Sequence, residues 1–271
     1  MHLRKLDRGR SASAVVVRNA RVTADSDPVE VRRLVLNVAQ PGEPHYEGQA
    51  LGVAVDRDGR ETFRLYTLAE VTEVPGDGGI DLALFVRRGG GPVSAYLCDS
   101  VAGEAVTLYG PYDYRFRLPM DRRSNLVMIG AGSGVAPFRA LVHRAYASRV
   151  DWKGKVRIYH GPATGLEILY NNAPGDVGQY FDRRTFKAID ALKTRRSIPG
   201  SHEPGRGLAE NLAELWDLVL DPDTYVYLVG TPAHVAALDA AMARAAGGED
   251  AWTRAKAALA GRNHWAELLY D

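Results

Sequence analysis

The hydrophobic rhythm of the chain changes near its middle. From Ala14 onward, apolar residues come in short extended runs: Val15–Val17, Val31–Val38, Leu51–Val55, Thr62–Leu68, Ile80–Val86 and Ala105–Leu108. Turn-forming residues separate them, at Pro41-Gly42, Asp58-Gly59, Pro75 to Gly79, Gly89 to Pro92 and Gly110-Pro111. Many short strands at this spacing predict a small antiparallel barrel or sandwich. One helix is expected in this half, Ser94–Ser100, with Ser94 as candidate N-cap. After the charged break Asp121-Arg122-Arg123-Ser124, strands alternate with helices. The order is strand Leu126–Ile129, helix 136–149, strand Val156–Tyr159, helix around 164–170, a strand near Ala188–Lys193 and helix 208–219. Strand Tyr225–Val229 and helices 232–245 and 250–260 follow, with Gly261 as C-cap. Such alternation predicts βαβ units and a parallel sheet. The tail from His264 to Asp271 carries Trp265 and Tyr270, which favours docking over fraying. Two domains are therefore expected: an N-terminal antiparallel β-barrel over 12–119, then an α/β parallel-sheet domain over 120–271.

Composition acts by exclusion. With a net charge of +1 and 25% charged residues, neither a disordered chain nor nucleic acid as main partner is indicated. Cys98 is the only cysteine, which excludes an intramolecular disulfide, a cysteine-ligated cluster and a cysteine zinc site. The seven histidines are scattered without ligand spacing, so no metal is assigned. No apolar run approaches a membrane span. The basic N-terminus, MHLRKLDRGRSASA, lacks an apolar h-region, and a cytoplasmic protein is expected.

The stretch Leu126 to Ala145 is where chemistry first enters. A buried strand runs into Gly130-Ala131-Gly132-Ser133-Gly134 and then into a helical pattern. A glycine-rich turn before a helix lets a backbone approach a phosphate, and the helix N-terminus favours its charge. The spacing is not G-x-G-x-x-G, because Val135 stands where a third glycine belongs, nor a G-x-S-x-G elbow, because residue 132 is Gly. On these residues alone, a tight turn without a ligand remains open. Ligands of parallel sheets bind at the carboxyl ends of the strands, where Gly130, His160-Gly161, Thr194-Arg195 and Gly230-Thr231 fall. Thr194-Arg195-Arg196 and Arg206 concentrate guanidinium groups suited to phosphate, or form a solvated loop. In the first half, Arg64-Leu65-Tyr66-Thr67 would put Arg64 and Tyr66 on one strand face and turn Leu65 to the core. That pairing suits a ligand with a phosphate and a flat ring, or a half-exposed strand with a packed tyrosine. Phe85-Val86-Arg87-Arg88, the glycine run and Ser94 outline a second anion site, or an ordinary loop and cap.

Taken in order, these segments resemble the plant-type ferredoxin–NADP(+) reductases from about Asn19 to Tyr270. Tyr46-Glu47-Gly48-Gln49 precedes a strand, and Arg64-Leu65-Tyr66-Thr67 is similar to the family's R-x-Y-[ST]. Ser94-Ala95-Tyr96-Leu97-Cys98-Asp99 resembles C-S-N-F-L-C-D, and Gly110-Pro111 follows. Gly132-Ser133-Gly134-Val135-Ala136-Pro137-Phe138-Arg139 resembles G-T-G-I-A-P-F-R. Leu169-Tyr170, Tyr225-Val226-Tyr227-Leu228-Val229-Gly230 for Y-V-Y-M-C-G, and the aromatic tail complete the series.

The resemblance implies an FAD-binding barrel and an NADP(H)-binding α/β domain. Hydride would pass between nicotinamide C4 and flavin N5, and electrons onward to a ferredoxin or similar iron–sulfur carrier. It implies that Arg64 contacts the FAD pyrophosphate, Tyr66 stacks on the isoalloxazine and Thr67 bonds its edge, with Leu65 between them. Phe85, Val86, Arg87 and Val93 would complete the FAD site, with Ser94 near N5. Tyr270 would cover the other flavin face and yield to nicotinamide, and Glu267 would be the proton donor. Gly132, Ser133 and Pro137 would line the pyridine-nucleotide cleft, with Thr194, Arg195 and Arg206 at the 2′-phosphate. Arg87, Arg88, Arg122 and Arg123 would offer the carrier a basic surface. A reductase serving a dedicated oxygenase, or a non-catalytic flavin sensor, are the alternatives. The chain departs from the family pattern in five places, one of them the short loop from Gly89 to Pro92, which lacks the longer excursion that packs the FAD adenine in plastid members; the other four are substitutions or shifts. Val229 replaces a cysteine, Glu267 lies three rather than two residues before Tyr270, Asp271 follows that tyrosine, and Arg206-Gly207-Leu208 lacks the adenine-stacking Tyr of K-x-Y.

Overall fold

The computed structural model describes residues 8–26, 30–42, 44–76, 78–113, 116–130, 136–147, 152–160, 185–190 and 206–269. Six strands form the first unit: β1 (Ser11–Arg21), β2 (Val31–Val38), β3 (Ala50–Arg57), β4 (Arg60–Glu73), β5 (Ile80–Arg87) and β6 (Ala105–Tyr112). They close into an antiparallel barrel in the order β1-β2-β5-β4-β3-β6. Alternation along the strands sends Val16, Leu34, Leu36, Leu51, Val53, Leu82, Leu84, Val106 and Leu108 inward to one apolar core. Each fully buried aliphatic side chain of this kind contributes about 1.5–3 kcal/mol.

Helix α1 (Pro92–Asp99) adds Val93, Leu97 and Cys98 to the same core. It starts two residues before the expected Ser94, and its N-cap is Gly91. Proline at the first helical position explains the shift: its φ is preset for the helix and its missing N–H has no partner to lose there. At the other end, Asn19 Nδ2 donates to the carbonyls of Leu97 (3.0 Å) and Ser100 (2.8 Å), tying the last turn to β1.

The second unit holds a five-stranded parallel sheet of order β11-β10-β7-β8-β9. Its strands are β7 (Asn125–Gly130), β8 (Val156–His160), β9 (Phe186–Asp190), β10 (Thr224–Gly230) and β11 (Trp265–Leu269). The helices are α2 (Ala136–Ala147), α3 (Arg206–Glu210), α4 (Leu212–Leu220), α5 (Pro232–Ala245) and α6 (Glu249–Gly261). Val127, Ile129, Val226 and Leu228 face a core shared with Leu215 and Leu218 of α4, Met242 of α5 and Trp252 of α6. On the alternate face, Phe116 bridges Phe138 of α2 (5.6 Å between centroids) and Tyr227 of β10 (5.2 Å). Arg157, 7% exposed on β8, is held by Glu214 of α4 through Nη2 (2.7 Å) and Nε (3.0 Å).

Several expectations are corrected. The single helix 208–219 is two, α3 and α4, parted at Asn211, which serves α4 as N-cap. The third strand is described over Phe186–Asp190, starting before the expected Ala188; residues 191–193 lie outside the described residues, as does the helix expected around 164–170. Gly261 is the last residue of α6 rather than its cap. The left-handed turn falls instead at Asn263 (φ 60°), a residue that tolerates it. The tail does dock, as the edge strand β11, which pairs in parallel with β10 from Val226↔Trp265 to Gly230↔Leu269. Among the described residues, no helix is long and apolar enough to cross a membrane.

Candidate functional site

In the barrel, the pairing of β4 sets the geometry. Its ladder with β5 runs only from Leu68↔Leu84 to Glu73↔Ile80, whereas Arg60–Thr67 pairs with β3 alone. Arg64–Tyr66 therefore lies along an edge outside the β4–β5 ladder. Tyr66 lies opposite Leu51, and Arg64 opposite Val53, on the core-facing side of β3. Leu65 lies opposite Gly52, on the other face. The expectation that Leu65 faces the core is thus reversed, because Gly52 leaves that outer face to the ring of Phe63, which sits where a Cβ on Gly52 would be (2.2 Å). Tyr66 packs half-buried against the core that includes Val93, Leu97 and Cys98. Burial pushes its phenol far above the ordinary tyrosine range, with Arg64 pulling weakly the other way, so the ring is neutral. Arg64 is exposed, its Nη1 donating to the Phe63 carbonyl (2.9 Å), and it has no carboxylate partner among the described residues.

Opposite this edge, Val86 is buried in the core, Phe85 is half-buried on the alternate face, and Arg87 is exposed. Arg88 is not a free surface charge: its Nε binds Glu30 (2.6 Å) and its Nη2 binds Asp99 (2.6 Å). Glu30, shared with Arg32, is held below the usual carboxylate range by these two guanidinium groups. Ser94 does not cap α1. Its Oγ accepts the Gly89 N–H (3.2 Å) and donates to the Gly91 carbonyl (3.0 Å), fastening the glycine loop to the first turn. No side-chain oxygen caps that turn and no acid lies in it. A Cβ placed on Gly90 or Gly91 meets nothing within 4 Å. First-turn N–H groups, the positive end of the helix dipole and open space together suit an anion. Beside them lies the core-packed aromatic ring of Tyr66. A flavin nucleotide, with its pyrophosphate and flat ring system, fits this donor set.

In the second unit the sheet runs β7-β8-β9 one way and β10-β11 the other, so its switch point lies at the carboxyl ends of β7 and β10. Val229 pairs with Gly130 there. Gly230 is buried under His234, whose Cβ lies 3.2 Å from where a Cβ would stand. The N-terminus of α5 is closed by its own residues, with His234 Nδ1 2.7 Å from Thr231 Oγ1. Pro137 is buried as the second residue of α2. Arg206 opens α3. Gly132, Ser133, Thr194, Arg195 and Tyr270 lie outside the described residues. Among the described residues no group of acidic, His or Cys side chains could hold a metal.

Comparison with known proteins bears on both units. A family model described as "Oxidoreductase NAD-binding domain" matches residues 128–239, from β7 to α5. The rice (Oryza sativa subsp. indica) chloroplastic ferredoxin–NADP reductase, leaf isozyme 1, is 29% identical over 240 residues, 78% of this chain and 63% of that protein. A ferredoxin–NADP reductase of Spirulina sp. is 26% identical over 256 residues, 87% of each chain. This chain is similar to ferredoxin–NADP(+) reductases in sequence. It spans just under two thirds of the rice reductase's length. Among solved structures, the ferredoxin-NADP+ reductase of Plasmodium falciparum with 2′P-AMP shares the fold (TM-score 0.64, 15% identity, 96% of each chain). The Amycolatopsis cytochrome P450 reductase GcoB has TM-score 0.59 and 26% identity over 87% of this chain and 66% of that one.

Two departures of this chain from the reductase pattern acquire a location. Val229 puts an isopropyl group at the switch point. Glu267 shares a strand face with Trp265 and Leu269, which pack on the α4–α6 core. Its Oε1 accepts from Trp265 Nε1 (2.7 Å) and lies 3.2 Å from Lys256 Nζ. Residues missed by sequence reasoning are Asn19, Glu30 and Lys256. Asn19 meets Leu97 78 positions away and Glu30 meets Arg88 58 positions away, so local sequence carries no signal of these contacts.

Proposed function

We propose that this chain is an FAD-dependent oxidoreductase passing electrons between NADP(H) and a small iron–sulfur protein, a ferredoxin in the first instance. The carrying observation is the uncapped first turn of α1 beside Arg64 and Tyr66, which lie outside the β4–β5 ladder. In this reading 12–119 is the FAD-binding domain and 120–271 the NADP(H)-binding domain. Bound FAD supplies what no side chain here has, acceptance of an electron pair as hydride from nicotinamide and its release as single electrons.

The chain's own groups bind and orient. Arg64 and the N–H groups around Val93 and Ser94 hold the pyrophosphate, Tyr66 lies against one ring face, and Thr67 meets the ring edge. Phe85, Val86, Arg87 and Val93 shape the rest of the site. Tyr270 covers the second face until nicotinamide replaces it, excluding water meanwhile. Gly132, Ser133 and Pro137 line the nicotinamide nucleotide cleft. Thr194, Arg195 and Arg206 take the 2′-phosphate, in keeping with the 2′P-AMP carried by the Plasmodium falciparum structure. Ser94 stays near the reacting edge. Glu267, bound to Lys256 and Trp265, is assigned to positioning rather than to proton donation. One cysteine cannot ligate a cluster, so the iron–sulfur centre lies outside these 271 residues, and a cytoplasmic setting accompanies this proposal.

A second reading, a reductase dedicated to an oxygenase, is favoured by the likeness to the Amycolatopsis P450 reductase. The discriminating experiment presents FAD-loaded protein and NADPH with a purified [2Fe–2S] ferredoxin and, separately, a P450. Reduction of the ferredoxin is expected. Reduction of the P450 alone, without a ferredoxin, replaces the first reading by the second.

A further inference from the structure

On the outer face of the barrel, Arg8 meets Glu61, Phe63, Tyr109 and Tyr112. Its guanidinium makes a forked ion pair with Glu61 of β4, Nη1 donating to Oε1 (2.7 Å) and Nη2 to Oε2. The same group stands 5.4 Å from the Phe63 ring centroid and 5.8 Å from that of Tyr109 on β6. Its carbonyl accepts from the Tyr112 hydroxyl (2.6 Å), and the Arg10 carbonyl accepts from the Gly110 N–H (3.1 Å). The segment that leads into β1 is thus laid against β6 by its backbone, which aims the Arg8 side chain at β4.

Beneath the guanidinium the rings are packed together. Phe63 fills the space that Gly52 leaves and meets Tyr109 edge to face at 5.8 Å and Tyr112 at 6.4 Å. The Arg8 and Glu61 side chains are 42% and 39% exposed, and a lone surface pair of that kind contributes little. A fork on a carboxylate combined with two aromatic faces is a stronger case, because each contact orients the guanidinium for the others.

The part of β4 that Arg8 grips is the part that needs support. Glu61 to Tyr66 pairs with β3 and lies outside the β4–β5 ladder. Glu61, Phe63 and Leu65 share one strand face, Arg64 and Tyr66 the other. Arg64 Nη1 donates to the carbonyl of Phe63 itself (2.9 Å). Fixing Glu61 and Phe63 from outside therefore fixes the backbone that aims Arg64 and Tyr66.

We infer that Arg8 is a positioning residue for the flavin: with Glu61, Phe63, Tyr109 and Tyr112 it clamps β4 from outside the barrel and so sets the geometry of Arg64 and Tyr66. This rests on the proposed flavin reading. Every residue of the clamp belongs to the barrel unit.

The test compares wild type, Arg8→Met, Arg8→Lys and Arg64→Ala as full-length proteins. Three readouts are taken: hydrogen–deuterium exchange of the 60–67 peptide in the apo-protein, Kd for FAD, and visible circular dichroism of the bound flavin, which reports how the ring is held. Arg8→Met keeps a long side chain and removes both charge and fork. It is expected to quicken exchange of 60–67 by about three- to tenfold while β2 stays protected, and to raise Kd for FAD by about the same factor. The flavin dichroism changes with it, a signature that lost stability alone does not give. Arg8→Lys, which keeps the charge over the rings without the fork, recovers part of each. Unchanged exchange overturns the clamp. Faster exchange with unchanged Kd and dichroism, where Arg64→Ala does weaken binding, overturns its link to the flavin. If Arg64→Ala leaves FAD affinity unchanged, the flavin reading fails, and the inference with it. A loss of protection throughout the barrel in Arg8→Met, not rescued by Lys, also overturns it.

Discussion

Replacing Arg64 by alanine separates binding from folding. The guanidinium is exposed, donates once to the Phe63 carbonyl, and has no carboxylate partner among the described residues, so folding loses little with it. An exposed side chain of this kind changes stability by no more than about 0.5 kcal/mol. Its proposed ligand contact is of another size. Charge-assisted hydrogen bonds to a pyrophosphate are worth about 1.5–3 kcal/mol, which converts to roughly 10- to 150-fold in affinity. Apo-protein titrated with FAD and followed by quenching of flavin emission gives Kd, and thermal unfolding of the same apo-protein gives Tm. The expected outcome is a Kd raised within that range with Tm unchanged. Arg64→Lys recovers part of the affinity, since lysine keeps the charge but not the fork. Unchanged FAD affinity, or a fall in apo Tm, refutes the reasoning.

Other outcomes follow from groups placed differently. Arg157→Ala reverses the Arg64 pattern: it strips a buried partner from Glu214 and is expected to cost about 3 kcal/mol in denaturant unfolding, the low end for a broken buried pair because Glu214 is partly exposed. Asn19→Ala frees the carbonyls of Leu97 and Ser100, destabilising α1 by about 1–2 kcal/mol and weakening FAD binding with it. Glu30 has a folded pKa below its unfolded value, so its contribution is present above the unfolded carboxylate pKa and lost as pH falls through the folded one. Urea midpoints should therefore fall on acidification from about pH 5 to pH 3, and Glu30→Gln should flatten that dependence.

The barrel and the parallel sheet are legible in the chain because both rest on periodicity: inward Leu34, Leu36, Leu82 and Leu84 alternate, and β7 and β10 are continuous apolar runs. Boundaries are less legible where one residue decides them. Pro92 moves the start of α1 two positions, and Asn211 splits a helix whose apolar pattern runs straight through it. The orientation of Leu65 misleads, since alternation fixes which residues share a face but not which face is the core. That choice depends on Gly52, twelve or more positions away, making room for Phe63. Arg64, Tyr66, Val93 and Ser94 are recognisable from motif order, whereas the engagement of Arg88 by Glu30 and Asp99 is visible only once β2, β5 and α1 are assembled.

The most direct test of a flavin reductase is anaerobic titration of the FAD-loaded protein with NADPH, then separately with NADH, following visible flavin absorption. Bleaching by NADPH at far lower concentration than NADH is expected. A protein that takes up no FAD, or whose bound flavin is bleached by neither nucleotide, contradicts it.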